Sequence, residues 1–580
     1  MSLLNEVSST VASFEVSGTT GLIVGDTTVN ELGITSFETQ VSQAGVVSNV
    51  VSASQLLSSG DSVVNNLYVN GKIITPKVPL GPAEARRTAS FDVRVTAAQN
   101  EYNILPQPHP SNGDETLYPT YIAQFSKGLQ HDGLGNPVVA SYDSLLTAVN
   151  SGLPPDYDAI QLGGAAGKLV SPQAALCYTL QGTDSAVFAT PVPAAFASDV
   201  RAAQSVETYW MALTRDVKFS DYGTNPTIAA ACADLSAQPG YTGPKVGGLV
   251  TPDTVYRVEY PGTLVGPYIS QMLYIPFYMG AVYVDQKIRV PTENVNFSKT
   301  LGITLGLQSG GPVTEVETFQ PVPRLIITGR DLAEWVHNDL AIQTGCHALQ
   351  VLRDIGCPLN VGNPYKNNAT QDGFATFGGP HIQCLLGQVA IQALRATWFQ
   401  KWSVNRTLRP EEYGLRVHQT KTGAATYPVS ADILNSQALV QTFAAQGTYL
   451  LSQAFPEGCP HHPSYPSGHA TFAGATITVL KAWFDGSFVI PAPLVPSADG
   501  LTSVPYVGPP LTVEGELNKL ATNVAQGRVI AGVHYRSDSF GGIELGEQVA
   551  IAVLRDQKLM FNEPFAGFTF TKFDGTVITV

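Results

Sequence analysis

The residues best suited to chemistry lie in three short segments, residues 401–410, 461–470 and 527–538. Each segment places cationic, hydroxyl or imidazole side chains beside Gly or Pro, which favour tight turns. Side chains of these types bind phosphate-like oxyanions. One segment alone is explained equally well by an ordinary helix end. Together, in an acidic and charge-poor chain, they predict one site for a tetrahedral or trigonal-bipyramidal oxyanion of charge −2 or −3.

The first and third segments supply the cations. Lys401 and Arg409 lie in the first, and Pro410 forces an extended backbone on Arg409. In the third, Arg528 ends a predicted helix six residues before His534. A turn between them would direct both side chains into one pocket.

The second segment is a loop with two prolines that leads directly into an apolar helix. Ser467, Gly468 and His469 therefore lie at a predicted helix N-terminus, whose free N–H groups and dipole favour an anion. Ser467 can donate a hydroxyl hydrogen bond, and Gly468 lets an oxygen approach the backbone. Eight of the ten histidines lie between His337 and His534, which strengthens the prediction of a site there.

Helical periodicity dominates the half of the chain that contains these segments. Apolar residues recur at i, i+3, i+4 and i+7 in six windows, with no run of alternating strands. This pattern predicts a mainly α protein with a helical bundle, whose sites are built from side chains on facing helices. The predicted helices are Arg330–Ile355, Ile382–Ser403, Ala431–Ala454, Gly468–Phe484, Val513–Ile530 and Gly541–Gln557.

The chain divides into three predicted regions. Residues 1–80 are an N-terminal extended arm for intersubunit packing, residues 81–329 hold helices and long Gly/Pro-rich loops, and residues 330–580 form the catalytic bundle. The minor elements predicted outside the bundle are helices at Ser198–Arg215 and Thr227–Ala237, irregular strands in Tyr256–Pro291, and short strands at Thr27–Ile34 and Leu67–Ile74.

Composition narrows the function further. The 580 residues include 32 basic and 46 acidic side chains, so the net charge of −14 argues against a nucleic-acid binder. Only 13% of the residues are charged, about half of the ~25% typical of soluble domains. No apolar run approaches the ~18–20 residues of a membrane span, and no basic residue precedes Lys72 to form a secretory n-region. We expect a soluble protein without a signal peptide, in an unassigned compartment.

Two other sites are disfavoured by spacing. A zinc site from Cys459, His461, His462 and His469 would need two adjacent histidines on one ion, in a loop stiffened by proline. The six cysteines contain no CxxC pair, which excludes zinc ribbons and thioredoxin-like redox chemistry. Residues 163–168 look like a phosphate-binding loop, but the glycine spacing and the residue after the lysine are wrong.

In this order, the three segments resemble the signature shared by vanadium-dependent haloperoxidases and type 2 phosphatidic-acid phosphatases. The motifs are a lysine followed by Arg-Pro, then P-S-G-H, then R-x5-H-x3-D. The chain length, the loop HPSYPSGHA and the run RDLAEWVH are most similar to the red-algal and cyanobacterial bromoperoxidases. That similarity runs from about Ala89 to the C-terminus and is dense after Arg330.

The resemblance implies a role for each motif residue. His534 binds vanadium through one imidazole nitrogen and needs its other nitrogen hydrogen-bonded, and His469 is the acid–base residue. The catalytic set is then His469, Lys401, His462 and His534. The residues that hold the vanadate oxygens are Lys401, Arg409, Ser467, Gly468 and Arg528.

Three further residues follow from the same resemblance. His462 matches a histidine of bromoperoxidases where fungal chloroperoxidases have Phe. Trp398 replaces the Arg usual in red-algal enzymes, so these two positions bear on the preference for bromide or chloride. From its spacing, Asp339 is expected to support a site residue from behind.

The implied reaction is oxidation of bromide by hydrogen peroxide to hypobromous acid, which halogenates an organic acceptor. Vanadium(V) would act as a Lewis acid, His469 would help to deprotonate peroxide, and Lys401 would withdraw charge from the reacting oxygen. The alternative is a soluble phosphatase of the same superfamily, with His534 as nucleophile and His469 as leaving-group acid.

The resemblance also implies partners. Chloride or iodide are alternative halides, and red-algal members assemble as dodecamers built from dimers. A structural calcium ion is known in that branch, but residues 365–377 diverge too far for ligands to be assigned.

Overall fold

The computed structural model describes residues 83–580, together with five short strands before residue 83. The chain divides into two compact units, one made of Met1–Ile104 and Arg555–Phe565, the other of Leu105–Leu554 and Ala566–Val580. Every residue of the predicted oxyanion site belongs to the second unit. The predicted strand Thr27–Ile34 and most of the N-terminal arm lie outside the described residues.

Helices make up most of the regular structure, so the predicted mainly α class is confirmed. The helices of the described residues are α1 (Ala83–Tyr102), α2 (Asp114–Leu117), α3 (Val139–Ser151), α4 (Pro154–Asp158), α5 (Asp199–Leu213), α6 (Pro226–Ala237), α7 (Leu301–Gln308), α8 (Gly329–Trp335), α9 (Gln343–Asp354), α10 (Gly379–Trp398), α11 (Pro410–Thr422), α12 (Ala431–Leu434), α13 (Gln437–Gln446), α14 (Gly468–Trp483), α15 (Val513–Ile530) and α16 (Arg536–Lys558).

The strands are short and pair only with near neighbours. In the second unit β6–β7, β8–β9 and β10–β11 are antiparallel two-stranded hairpins. In the first unit β1–β2–β3 and β4–β5 are also antiparallel, and β4–β5 lies within the strand predicted at Leu67–Ile74. The strands are β1 (Glu15–Val16), β2 (Leu22–Val24), β3 (Thr39–Gln40), β4 (Tyr68–Val69), β5 (Lys72–Ile73), β6 (Phe277–Met279), β7 (Val282–Val284), β8 (Leu494–Pro496), β9 (Ser503–Pro505), β10 (Thr569–Thr571) and β11 (Val577–Thr579).

Helix α14 is the centre of the bundle. Apart from His469, all of its residues are buried, as a helix that is apolar or small on every face must be. It packs against α9, α10 and α15. The helix that follows the P-S-G-H loop is thereby held on several sides, which fixes where its N-terminus lies.

Two glycines let α14 and α16 approach closely. A Cβ built on Gly474 would lie 2.3 Å from the carbonyl oxygen of Ile543, and one on Gly546 would lie 2.1 Å from that of Thr471. No larger residue fits either position without separating the backbones. Since α16 begins just after His534, this close approach fixes the third segment relative to the second.

Several predicted boundaries are confirmed. Ser198 caps α5 by accepting a hydrogen bond from the amide of Arg201 at 3.2 Å. Helices α6, α14 and α15 start and end within one residue of their predicted limits. The helix predicted at Gly541–Gln557 lies inside α16, which begins five residues earlier.

The predicted helix Arg330–Ile355 is wrong as a single element. In the structure, residues 336–342 separate α8 from α9. This segment contains Asn338 and Asp339, and both residue types favour turns over a continuous helix. Two other predicted helices are also interrupted. Helix α10 passes into a π-helix at Phe399–Asn405, and the window Ala431–Ala454 splits into α12 and α13, with Ser436 capping the second.

The remaining differences lie outside the motifs. Tyr256–Pro291 contains the β6–β7 hairpin and otherwise turns, rather than several strands. The helices without a predicted counterpart are α1, α2, α3, α4, α7 and α11. Among the described residues, no helix combines the length and apolar character needed to span a membrane.

Candidate active site

Lys401 and Arg409 lie where the helical geometry changes sharply. The π-helix Phe399–Asn405 continues α10, and Arg406 then adopts a left-handed conformation with φ of 39°. Arg409 is extended (φ −84°, ψ 159°) and Pro410 opens α11, as the sequence predicts. π-turns of this kind are frequent at functional sites.

Lys401 is fully buried and anchors the second segment. Its Nζ donates hydrogen bonds of 2.6 Å to the carbonyl oxygens of Pro463 and Ser464. Burial lowers the pKa of Lys401, and the nearby Arg409 charge lowers it further. The ammonium still has a third donor for another acceptor.

Arg409 is also fully buried and joins the second and third segments. Its Nε donates to the carbonyl oxygen of His462 at 2.9 Å, and its Nη1 donates to that of Val533 at 2.7 Å. The same Nη1 lies 3.0 Å from Nε2 of His534. Because a guanidinium has no acceptor, His534 Nε2 must offer a lone pair there.

The other nitrogen of His534 is fixed by a carboxylate. Asp538 Oδ2 lies 2.8 Å from His534 Nδ1, so Nδ1 carries the proton and Nε2 carries the lone pair. Burial is the main reason that the pKa of His534 lies well below its usual range, followed by the charges of Arg409 and Lys401. His534 is therefore a neutral imidazole with a defined donor nitrogen.

Arg528 completes the group of cations near the end of α15. Its Nη1 donates to the carbonyl oxygen of Val336 at 2.8 Å. Among the described residues its buried Nε has no hydrogen-bond partner. Burial lowers the pKa of Arg528 to about 10, and the Arg409 charge contributes to that shift.

Ser467 and Gly468 lie where the sequence places them. Ser467 is the N-cap of α14, its Oγ accepts from the amide of Ala470 at 3.4 Å, and Gly468 is the first helical residue. No hydrogen bond among the described residues uses the amide of Gly468 or His469. Those two N–H groups are available to an anion.

His469 pairs with the residue predicted to support the site. Its Nε2 lies 2.9 Å from Asp339 Oδ1, in the segment between α8 and α9. Burial lowers the pKa of His469, and the Asp339 carboxylate opposes that shift. Burial alone would raise the pKa of Asp339, but the facing His469 holds it below its usual value. The contact leaves His469 Nδ1 as the nitrogen able to exchange a proton.

His462 and Trp398 lie side by side. Their ring centroids are 4.9 Å apart at an angle of 40°, and Trp398 Nε1 donates to the carbonyl oxygen of Val170 at 3.0 Å. His462 Nδ1 accepts from Arg409 Nη2 at 2.9 Å. Burial and then the Arg409 charge hold the pKa of His462 well below its usual range. This neutral pair adjoins the group of cations.

The structure thus brings together all of the predicted residues around one set of buried charges, through direct contacts or mutual electrostatic effects. It adds residues that sequence reasoning did not assign. Ser464 Oγ donates to Asp538 Oδ2 at 2.6 Å, and Lys127 forms a fully buried pair of 2.7 Å with Glu411 beside the second segment. Ser464 and Asp538 lie within the second and third segments, so their positions in the sequence could have indicated a role in the site. Lys127 lies far away in sequence, and nothing around it indicates the contact.

Comparison with known proteins gives the chain its relatives. The family model described as the VCPO second helical-bundle domain matches residues 381–563. The chain is 33% identical to a vanadium-dependent bromoperoxidase from Corallina pilulifera, over 87% of this chain and 100% of that protein. It is 34% identical to one from Ascophyllum nodosum, over 86% of this chain and 93% of that protein. Its structure is similar to the homohexameric second vanadate-dependent bromoperoxidase of Ascophyllum nodosum, with a TM-score of 0.81, 29% identity and 95% of each chain covered.

Proposed function

This chain belongs to the vanadium-dependent bromoperoxidases, and we propose that it oxidises bromide with hydrogen peroxide to hypobromous acid, which halogenates organic acceptors. The single observation that carries the proposal is the state of His534. Asp538 and Arg409 together fix its neutral form, with the lone pair on Nε2 beside buried cations. An imidazole lone pair in a positive pocket suits a negatively charged oxyanion with a metal centre.

The pocket fits vanadate on its own chemistry. Lys401 and Arg409 are fully buried and Arg528 nearly so, and Lys401 and Arg528 each have their pKa lowered further by Arg409. Such clustering costs free energy unless an anion neutralises it. Among the described residues, Nε of Arg528 and the amides of Gly468 and His469 have no hydrogen-bond acceptor. An oxyanion of charge −2 or −3 would neutralise the clustered cations and accept hydrogen bonds from these donors.

We assign the holding residues accordingly. His534 Nε2 would bind vanadium, and the residues that would hold the oxygens are Lys401, Arg409, Ser467, Gly468 and Arg528. When bound, vanadium(V) supplies Lewis acidity that activates hydrogen peroxide toward halide without a change of its own oxidation state.

The chain's own residues then act on protons and charge. Asp339 holds His469 Nε2, so His469 Nδ1 takes a proton from incoming peroxide and returns one to the departing oxygen. Two carbonyl oxygens hold the Lys401 ammonium in place. Its remaining N–H donor is then directed to the reacting oxygen, where negative charge develops.

We propose that His462 and Trp398 set halide preference. Both are neutral and face each other next to Arg409, so a halide there would meet an aromatic surface rather than a second guanidinium. The family's bromoperoxidases provide the expectation that bromide is used. The phosphatase alternative, with His534 as nucleophile, is not favoured, since the relatives are bromoperoxidases.

The decisive experiment is a bromination assay on a chromogenic phenol. Turnover should require vanadate, bromide and hydrogen peroxide together, with chloride measured in parallel, and K401A should lose at least about 100-fold in kcat. Hydrolysis of a phosphate ester without peroxide, in place of bromination, would overturn the assignment. The matched control is K299A, which removes an exposed lysine and should retain full activity.

Assembly and organisation are part of the proposal. The homohexameric relative supports a homo-oligomer, and we propose a dimer-based dodecamer, testable by light scattering of the purified chain. Residues 1–80 would be the arm that contacts a neighbour, residues 81–329 the supporting region and residues 330–580 the catalytic bundle. A structural calcium ion also stays a prediction.

A further inference from the structure

A second cluster of metal-ligating side chains lies at the C-terminal end of α8. Glu317, Glu334 and His337 each present one ligand atom, and these atoms lie within 4.8 Å of one another. We call these three residues the His337 cluster. None of them is assigned to the vanadate pocket.

The orientation of the imidazole indicates what the cluster holds. His337 stacks on Phe455 with ring centroids 3.7 Å apart, so its nitrogens point sideways in the ring plane. Nε2 lies 2.7 Å from Glu457 Oε1 and donates its proton there. Nδ1 then carries a lone pair, which lies 3.2 Å from the Asn338 amide nitrogen, 3.5 Å from Glu334 Oε2 and 3.9 Å from Glu317 Oε2. Two carboxylate oxygens that face this lone pair favour a positive centre between them.

Glu334 supplies an independent observation. Its side chain is 4% exposed, and its Oε1 accepts from Arg289 at 2.8 Å and from Asn338 at 3.0 Å. Its Oε2 has no hydrogen-bond partner among the described residues and faces the other two members of the cluster. A buried carboxylate oxygen left in this way marks a missing ligand.

The balance of charge agrees. Three carboxylates lie around His337, from Glu317, Glu334 and Glu457. Arg289 pairs with Glu334 and is half exposed, and the Arg528 guanidinium lies 5.4 Å from the Phe455 ring on which His337 stacks. With His337 neutral, the three carboxylates outnumber the Arg289 guanidinium, and a divalent cation between them would reduce that excess of negative charge.

We propose that Glu317, Glu334 and His337 bind one divalent first-row cation of the Zn²⁺ or Mn²⁺ class, with Glu457 fixing the imidazole tautomer. Mixed imidazole and carboxylate ligands suit these ions, and a carboxylate behind the histidine is the usual support. The site is separate from the vanadate pocket. The His337 cluster is nevertheless connected to the vanadate pocket along the chain, because Asp339 lies two residues after His337. The cation would fix the segment that presents Asp339 to His469.

The competing occupant is a proton. Glu334 and Glu457 outweigh burial and raise the pKa of His337 to about 9, so an imidazolium could fill the same place. The two occupants differ in a measurable way, since only the cation is removed by a chelator and restored by added metal.

The test uses the full chain, stripped with a chelator and then loaded with vanadate so that His534 is already engaged. Zn²⁺ and Mn²⁺ are titrated separately by calorimetry, and bound metal is counted by mass spectrometry after dialysis. We expect one strongly bound ion per chain, with E317Q binding it at least about tenfold more weakly. The matched control is E315Q, which removes a charge in the same segment while its amide oxygen can still accept from Ser298.

Thermal unfolding gives a second measurement, so that loss of binding is not confused with loss of folding. Added Zn²⁺ or Mn²⁺ should raise the melting temperature of wild type and E315Q but not of E317Q. Equal metal stoichiometry and affinity in wild type and E317Q would overturn the site. So would a wild-type chain that takes up neither ion, which would assign the place to a proton.

Discussion

His534 has both ring nitrogens engaged before any cofactor is present. Asp538 accepts a hydrogen bond from the Nδ1–H group and Arg409 donates toward Nε2, so the imidazole stays neutral and its lone pair has a fixed direction. Ser464 strengthens the arrangement by donating to the same Asp538 oxygen. The orientation of this imidazole therefore depends on Asp538 and Ser464, which are not among the residues proposed to hold vanadate.

Replacing Asp538 by alanine tests that dependence. D538A frees the His534 tautomer, so the dissociation constant for vanadate should rise about 10- to 100-fold. Equilibrium dialysis with vanadate measures it. The exposed exchange D499A should leave vanadate affinity unchanged, and an unaltered affinity in D538A would contradict the assigned role.

The His469–Asp339 pair makes a prediction about pH. Asp339 opposes the effect of burial and so raises the pKa of His469. D339N removes that charge, so the pKa falls, and the acid limb of the kcat/KM profile for peroxide should move to lower pH.

The profile is to be measured at saturating vanadate. D499N provides the control, because it makes the same chemical change at an exposed site and should reproduce the wild-type profile. An acid limb that moves upward in D339N would show that Asp339 does not act on His469 in this way.

At the scale of elements, the site depends on where helices end. Lys401 leaves α10 through a π-helix, Gly468 begins α14, and Arg528 lies in the last turn of α15. The close approach of α14 and α16 holds two of the three segments in register. Small errors in these positions would separate cations that must share one anion.

Gly474→Ala tests the helix contact directly. Its new Cβ would lie 2.3 Å from a backbone oxygen of α16, so the free energy of unfolding should fall by about 1–3 kcal/mol. Chemical denaturation measures this. The matched control is G306A in α7, where a Cβ meets nothing within 4 Å, and helix propensity should stabilise the chain by up to about 1 kcal/mol.

At the scale of the whole molecule, a chain of net charge −14 concentrates positive charge in one buried pocket. Lys401, Arg409 and Arg528 destabilise one another until an anion is bound. Vanadate therefore binds the folded chain and not the unfolded one, and stability becomes linked to its concentration.

We expect vanadate at 100 times its dissociation constant to stabilise the fold by about 2.7 kcal/mol. Calorimetric melting with and without vanadate checks this. H534A should lose most of the stabilisation while the exposed exchange D574A keeps it, and an identical response in H534A would falsify the proposed ligand.

The sequence by itself determined which residues are proposed to hold the anion. Arg409, Ser467 and Arg528 are specified locally, because a proline after an arginine, a capped helix start and a helix end depend on near neighbours. Periodicity also located α14 and α15 to within a residue. These features follow from short-range backbone and capping preferences, which need no knowledge of the fold.

Only the tertiary structure decided how those residues are oriented and supported. The helix predicted at Arg330–Ile355 is interrupted, and Asp339 in the interruption contacts His469. Asp538 accepts the hydrogen bond from His534 Nδ1, and Lys127 pairs with Glu411. Each of these contacts joins residues whose pairing is set by packing between distant segments or by side-chain geometry. Burial strengthens the electrostatic attraction within each contact, and the fold decides which groups are buried, which no local pattern in the chain records.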